Sequence, residues 1–162
     1  ILTKKSAKKG VSITGSFVAT DTIGLAQRAN LTELAATKIA SQIALKQAGV
    51  SLSDIDVLEV HDCFTIAEIM AMEDLGFCEK GEGGEFVASG QTRLGNKMPV
   101  NTSGGLKACG HPVAATGVKQ IVEITQQLRG AAGERQVKKA KVGLTHNVGG
   151  TGATVVVHVL QN

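Results

Sequence analysis

The sequence predicts an α/β fold in which a mixed β-sheet is flanked by helices. Three observations lead there. Runs of strand character alternate with stretches of helical periodicity, in the order β-α-β-α-loop-α-β-β. A glycine stands just past each helical stretch, at Gly49, Gly76 and Gly130. The last two strand-like runs are separated by a tight Gly149-Gly150-Thr151-Gly152 turn and therefore form a hairpin.

Residues 11–19 (VSITGSFVA) read as a strand interrupted by Gly15, and residues 20–30 as a loop. Asn30-Leu31-Thr32-Glu33 resembles a helix start, with Asn30 as cap and Glu33 three residues on. Leu31, Ala35, Ile39 and Ile43 then recur at helical spacing. Ser51 to Asp54 is turn chemistry, and Asp56 to Val60 is a short strand. His61-Asp62-Cys63-Phe64 follows it directly, and a helix runs from Thr65 to Leu75. Residues 78–103, rich in glycine and charge, read as an excursion with little regular structure, and 101–112 as a Gly-rich loop. A third helix is expected from Pro112 or Val113 to Arg129, because proline suits a first helical turn. Lys141 to Thr145 and Ala153 to Leu160 are the hairpin strands.

Composition narrows the function. The 162 residues fit one domain, and an apolar fraction of 43% supplies a core. Charged residues at 19% and a net charge of +3 argue against disorder and against a dedicated nucleic-acid binder. The basic run Lys4-Lys5 with Lys8-Lys9 reads as a solvated terminal segment. No apolar stretch reaches the roughly 18 residues needed to span a bilayer, so no membrane role is expected. No signal peptide is visible, and a chain beginning with Ile1 is expected to be a fragment or a processed product. Cys63, Cys78 and Cys109 form neither a disulfide framework nor a zinc set, so no metal is expected and a reducing, cytoplasmic compartment is.

Three loops, at 61–64, 110–112 and 145–147, stand at strand ends or helix starts, where the ligand crevice of an α/β sheet lies. His111 can take a proton from a thiol or return one to a leaving thiolate. The helix expected after it disfavours imidazolium, which suits a base or an oxyanion donor; the alternative is a histidine capping its own helix. Cys63 opens a helix, a position that stabilises thiolate, so it reads as acid/base or nucleophile, or else as an inert buried thiol. His61 and His146 each end an expected strand and could hydrogen-bond a carbonyl oxygen, with Asn147 assisting; otherwise both are polar strand-edge residues. Gly149 belongs either to that site or merely to the hairpin turn. His158 alternates within a strand and reads as structural.

Taken together, His61-Asp62-Cys63-Phe64, Asn101-Thr102-Ser103-Gly104-Gly105, Gly110-His111-Pro112 with Ala115-Thr116-Gly117, and His146-Asn147-Val148-Gly149 resemble the thiolase superfamily in order and wording. They are most similar to the branch with an HDCF motif, which includes sterol carrier protein-type thiolases and archaeal-type acetyl-CoA acetyltransferases. The resemblance covers nearly the whole chain and is strongest from Asp54 onward. It implies a thiolase-like layered fold of which residues 1–162 are one repeat of two, the carboxyl-terminal domain without its amino-terminal half.

The resemblance also implies roles. His111 matches the family histidine that activates the nucleophilic cysteine and binds a thioester oxygen. His61 stands where other thiolases have an Asn that helps build an oxyanion hole. Cys63 matches the proposed acid/base at the substrate α-carbon, a role other thiolases give to a CxG motif near the carboxyl end. That region reads Thr145-His146-Asn147-Val148-Gly149 here, without cysteine. Ala114 departs mildly from the more usual Gly. Ser103, Gly104 and Gly105 are expected near the pantetheine. The family's nucleophile belongs to the amino-terminal half, so this chain alone is expected to be inactive.

The implied reaction is condensation of acetyl-CoA to acetoacetyl-CoA, or thiolysis of a 3-oxoacyl-CoA. No tightly bound cofactor is implied; coenzyme A thioesters are substrates. The implied partners are the amino-terminal half, further copies in a dimer or tetramer, and in this branch HMG-CoA synthase and a small acyl-CoA-binding protein. Two alternatives stay open: a retro-aldolase or acyl transferase working with that small partner, and a subunit of a split enzyme that is not catalytic alone.

Overall fold

The structure is a computed structural model and describes residues 10–162. The basic run at Lys4, Lys5, Lys8 and Lys9 lies outside the described residues.

Four strands form one sheet: β1 (Ser12–Thr20), β2 (Val57–Val60), β3 (Val142–Gly149) and β4 (Thr154–Gln161), in the spatial order β1-β4-β3-β2. β4 is antiparallel to both β1 and β3, while β2 runs parallel to β3, so the sheet is mixed as expected. The parallel pair requires a crossover, and the helices supply it. They are α1 (Ala35–Ala48), α2 (Thr65–Leu75), α3 (Gly83–Ala88), α4 (Gly105–Cys109) and α5 (Thr116–Leu128).

α1 packs on one face of β1 and β4 through alanines rather than through the predicted stripe of Leu31, Ala35, Ile39 and Ile43, of which Ala35 and Ile43 are half-buried. Ala36, Ala40 and Ala44 are fully buried, while Leu31 and Ile39 are exposed. The reason lies in β1. A Cβ on Gly15 would strike the Ala44 carbonyl, so the backbones approach closely and only small side chains fit between them. Gly15 also marks a register shift in the β1–β4 pairing. The helix begins at Ala35, later than predicted, because Asn30 closes a local turn: its Oδ1 accepts from the Thr32 backbone N–H and hydroxyl, both at 2.9 Å. The Leu34 N–H at the true helix start donates instead to buried Asp74 of α2 at 2.8 Å.

α2 follows the prediction, ending on left-handed Gly76. The segment read as irregular contains α3, anchored by buried Phe86 and by the Gly83 N–H donating to Glu73. α5 starts four residues after Pro112. Ala114 takes a left-handed backbone, φ 71°, and the Ala115 N–H closes a turn onto the Pro112 carbonyl. Pro112 therefore sits in a turn ahead of the helix.

The two faces of the sheet are filled differently. The α1/α2 side holds the larger apolar core, including Leu58, Met72, Leu144, Val155, Val157 and Val159. The other side holds a small cluster of Val57, Ile124, Leu128, Ala140 and Leu160 under α5. α5 covers β2 and β3 and barely reaches β4, leaving Val18 of β1 53% exposed on the open part of that face. α5 also buries Gln120 against β3 and Glu123 and Gln127 against the segments around Thr102 and Arg135, while Val118 and Val122 are 64% and 50% exposed.

Gly143 lets α5 sit this close, since a Cβ there would overlap Ile124. Gly143→Ala is expected to lower stability by about 1–3 kcal/mol through overpacking, measured as a shift in denaturant midpoint. An unchanged midpoint would show that α5 moves aside freely.

Candidate active site

The carboxyl end of the β2–β3 pair carries the candidate site. β2 stops at Val60, which pairs with His146, and the chain turns into His61. The β2 backbone is held on its outer side by the Asn101 N–H donating to the Leu58 carbonyl at 2.8 Å. Asn101 sits at φ 51°, and its side chain sustains that backbone: Oδ1 accepts from the Val60 N–H at 2.9 Å, and Nδ2 donates to Glu68 at 2.9 Å.

From there a loop runs to His111, held by successive acidic groups. Thr102 donates its hydroxyl to Glu123 at 3.3 Å. Ser103 donates its N–H and its hydroxyl to Glu59 at 3.1 and 2.7 Å. Asp62 accepts the Leu106 N–H at 2.9 and 3.1 Å, and a Cβ on Gly105, at φ 63°, would overlap the Asp62 carboxylate. Burial raises the pKa of Glu59, against the opposing pull of the Ser103 hydrogen bonds and Lys119. Burial likewise raises Glu68. Glu123 is also buried, but Arg135 and its other hydrogen-bond donors outweigh burial and lower its pKa.

This scaffold brings His111 against His61. Their ring centroids are 4.9 Å apart, edge to face at 80°. His111 Nδ1 shares a 2.7 Å hydrogen bond with the Thr116 hydroxyl at the start of α5. That contact fixes the ring and leaves Nε2 without a hydrogen-bond partner among the described residues. His61 is buried, its Nδ1 has no hydrogen-bond partner, and burial first, then the neighbouring His111, lowers its pKa. Both rings line a cleft of about 400 Å³, with Thr116, Gly117, Asn147 and Gly149 around them and Val156 and His158 farther out.

The other expected residues fall in different places. Asn147 lines the cleft, its amide donating to Gln120 Oε1 at 3.2 Å. His146 does not line it. β3 continues to Gly149, so consecutive side chains alternate, and His146 points to the α1 side. There it is buried, its Nε2 is 3.0 Å from the Thr37 hydroxyl, and its pKa is pushed down to about 3 by burial and by His61. The expectation that His146 ends a strand beside the reacting carbonyl is thus corrected by the length of β3. Cys63 is exposed just before α2, two residues after His61 but outside the cleft lining. Ser103, Gly104 and Gly105 also lie outside it; Ser103 is occupied by Glu59, Gly105 is buried, and Gly104 is the exposed member. His158 stands on the open sheet face, bonded to Ser16 at 2.9 Å.

Sequence reasoning missed Gln120, Glu59 and Lys119, and gave Thr116 a place in a motif but no role. The available signal was the polar spacing Thr116, Gln120, Glu123, Gln127 within a helix whose apolar residues fall between them. That row of polar side chains is buried beside Ile124 and Leu128 of the same helix.

A paired imidazole site at the carboxyl end of parallel strands, with an amide in the same cleft and a thiol close by, is equipped to move protons beside a carbonyl and to hydrogen-bond its oxygen. Residues 18–162 match the family model described as "Thiolase C-terminal domain-like", and the chain belongs to that family. It is 52% identical over 151 residues to an acetyl-CoA acetyltransferase of Methanothermobacter thermautotrophicus, covering 93% of this chain and 39% of that protein. It is 48% identical over 120 residues to sterol carrier protein 2 of Bos taurus, covering 74% of this chain and 22% of that protein. Among solved structures, an Ltp2-ChsH2(DUF35) aldolase superposes with TM-score 0.82 at 27% identity, covering 93% of this chain and 39% of that one. The chain thus spans about two fifths of the acetyltransferase's length.

The buried His146 sets a pH dependence. Its folded pKa of about 3 lies below the ordinary 6.5, so the unfolded chain binds the extra proton between those values. Stability contributed this way is complete above about pH 6.5 and falls as pH drops toward 3, by on the order of 1 kcal/mol per pH unit. Glu59, Glu68 and Asp74, whose pKa values burial raises, oppose the trend, so the test is a difference. His146→Gln is expected to lose less stability than the parent protein between pH 7 and 4.5, measured by denaturant unfolding at each pH. Equal losses would contradict the burial of a neutral His146.

Proposed function

We propose that this chain supplies the proton-transfer and oxyanion side of an acyl-CoA acyltransferase, which condenses acetyl-CoA to acetoacetyl-CoA or cleaves a 3-oxoacyl-CoA with CoA. The single observation that carries the reading is the His61–His111 pair at 4.9 Å on one cleft, with His111 fixed by Thr116.

In the condensation, an acetyl group sits as a thioester on a cysteine from the amino-terminal half. Cys63 takes a proton from the methyl carbon of acetyl-CoA, and His61 with Asn147 hydrogen-bonds the enolate oxygen that develops. The carbanion attacks the acyl carbon, a C–C bond forms, and the C–S bond to the nucleophilic cysteine breaks. His111 returns a proton to that leaving thiolate. Thiolysis runs the same steps backwards: His111 takes the proton of the nucleophilic cysteine as its sulfur attacks the 3-oxo carbon, the C–C bond breaks, Cys63 returns a proton to the carbanion that leaves, and CoA then takes the acyl group from that cysteine. Cys63 stands outside the cleft lining, so its approach to the α-carbon requires substrate to reach across the mouth beside His61.

The partner half is supported by the exposed apolar surface. Val18 on the open sheet face and Val118 and Val122 on α5 are apolar and uncovered beside the cleft. An occupant there would bury them and close the cleft over the histidines. None of Cys63, Cys78 or Cys109 lines the cleft, which agrees with a nucleophile supplied from outside.

A second reading, retro-aldol cleavage of an acyl-CoA, is favoured by the likeness to the Ltp2-ChsH2(DUF35) aldolase. It uses the same histidines on a carbonyl but needs no acyl-cysteine. Formation of acetoacetyl-CoA from acetyl-CoA by the full-length protein decides for the transferase; its absence together with aldol cleavage decides for the second reading.

In the full-length protein, His111→Ala and Cys63→Ala are each expected to lower turnover by roughly a hundredfold or more with an unchanged unfolding midpoint. Wild-type rates in both variants would reject these roles.

A further inference from the structure

Glu59 is 1% exposed, next to last in β2, and two residues before His61. Its carboxylate meets two parts of the chain at once. Ser103, where the loop to His111 begins, donates from N–H and hydroxyl at 3.1 and 2.7 Å. Lys119 of α5 stands 3.5 Å from the same carboxylate and donates to the Ser103 hydroxyl at 2.5 Å. Between Ser103 and Lys119 lie α4, which bonds back to Ser103 through the Cys109 thiol at 3.3 Å, then His111, then Thr116, which holds the His111 ring. Both ends of the segment that bears His111 therefore close on one buried carboxylate, and that carboxylate shares a strand end with His61.

We propose that Glu59 is a positioning residue that sets His111 against His61 by clamping Ser103 and Lys119 together at the end of β2. It touches neither the cleft nor substrate; it acts through the backbone of its own strand and through the two ends of the loop. The geometry explains a charged group at this depth. A neutral apolar residue would leave the Ser103 N–H and hydroxyl and the Lys119 ammonium without their acceptor. Only the turnover measurement below rests on the acyltransferase reading.

The test uses the full-length protein. Glu59→Gln keeps the shape but leaves one acceptor where two stood. Turnover is expected to fall about tenfold to a hundredfold while KM for the CoA thioester changes little, because the groups misplaced are those that react. Independently of activity, the rate at which diethylpyrocarbonate modifies His111, followed by mass spectrometry, is expected to change by about threefold or more, with the rate at His158 unchanged. Lys119→Met, at a half-buried position, is expected to shift both readouts in the same direction, and the double variant to add little to Glu59→Gln. If Glu59→Gln does not fold, Lys119→Met decides. Unchanged turnover and unchanged His111 reactivity in folded variants would overturn the clamp while leaving the acyltransferase reading intact. Altered His111 reactivity in a parent protein that forms no acetoacetyl-CoA would sustain the clamp and sink that reading instead.

Discussion

The loop from Asn101 to His111 has little apolar substance of its own, and acidic side chains hold it where a core would otherwise do so. Leu106 is its one large buried apolar side chain. Glu68, Glu123, Glu59 and Asp62 take, in turn, Asn101, Thr102, Ser103 and the Leu106 N–H. Hydrogen bonds to charged groups contribute roughly 1.5–3 kcal/mol each, and losing a partner costs the desolvation of the one left behind. These bonds hold the loop in place where packing does not. Two cations, Lys119 and Arg135, offset this acidic layer at Glu59 and Glu123. Both come from the α5 side, so the helix and the loop are fixed by the same groups.

This explains why α5 is built with its polar side inward. Gln127 donates to Thr102, Glu123 and the Arg135 carbonyl, and accepts from the Val137 N–H. Gln120 joins the His146 carbonyl to the Asn147 amide. An apolar inner face would pack as well against β2 and β3 but would have no way to specify where the loop lies. The small apolar cluster of Val57, Ile124, Leu128, Ala140 and Leu160 supplies adhesion, and the polar row supplies register. Val118 and Val122 stay outside, and Val118 lines the cleft.

Fold class was legible because it depends on coarse signals. Four strands, the hairpin turn and the glycines ending α1 and α2 follow from periodicity and from left-handed backbone that glycine tolerates. The motif histidines His61 and His111 were legible as chemistry. Their support was not. Glu59 reads as one charge inside a strand and Lys119 as a surface lysine until the fold brings them together across the chain, and the Ala115-Thr116-Gly117 motif does not announce the bond from Thr116 to His111. α1 was misread for a related reason. Bulky residues look like core in a sequence, but Gly15 draws the helix so near the sheet that only alanine fits. The start of α5 was misread because Ala114 adopts a backbone that nothing in its identity announces.

His146 and Asn147 show how finely the site depends on local geometry. They are neighbours in one strand, and a period of two sends them to opposite faces. Asn147 enters the cleft, while His146 enters the α1 side and meets Thr37. Had β3 ended at Thr145, both could have turned toward substrate. Because it continues to Gly149, paired with β4 to the end, the imidazole is committed to the core and stays neutral there. Its buried, unpartnered Nδ1 and that of His61 are the two polar atoms without hydrogen bonds among the described buried side chains, and His61 adds to the burial that lowers the His146 pKa. A second charge cannot easily enter so dry a neighbourhood. His61 is therefore held as a neutral imidazole from behind by burial and from the front by His111, which suits a group that hydrogen-bonds a developing oxyanion rather than one that pairs with it as a cation.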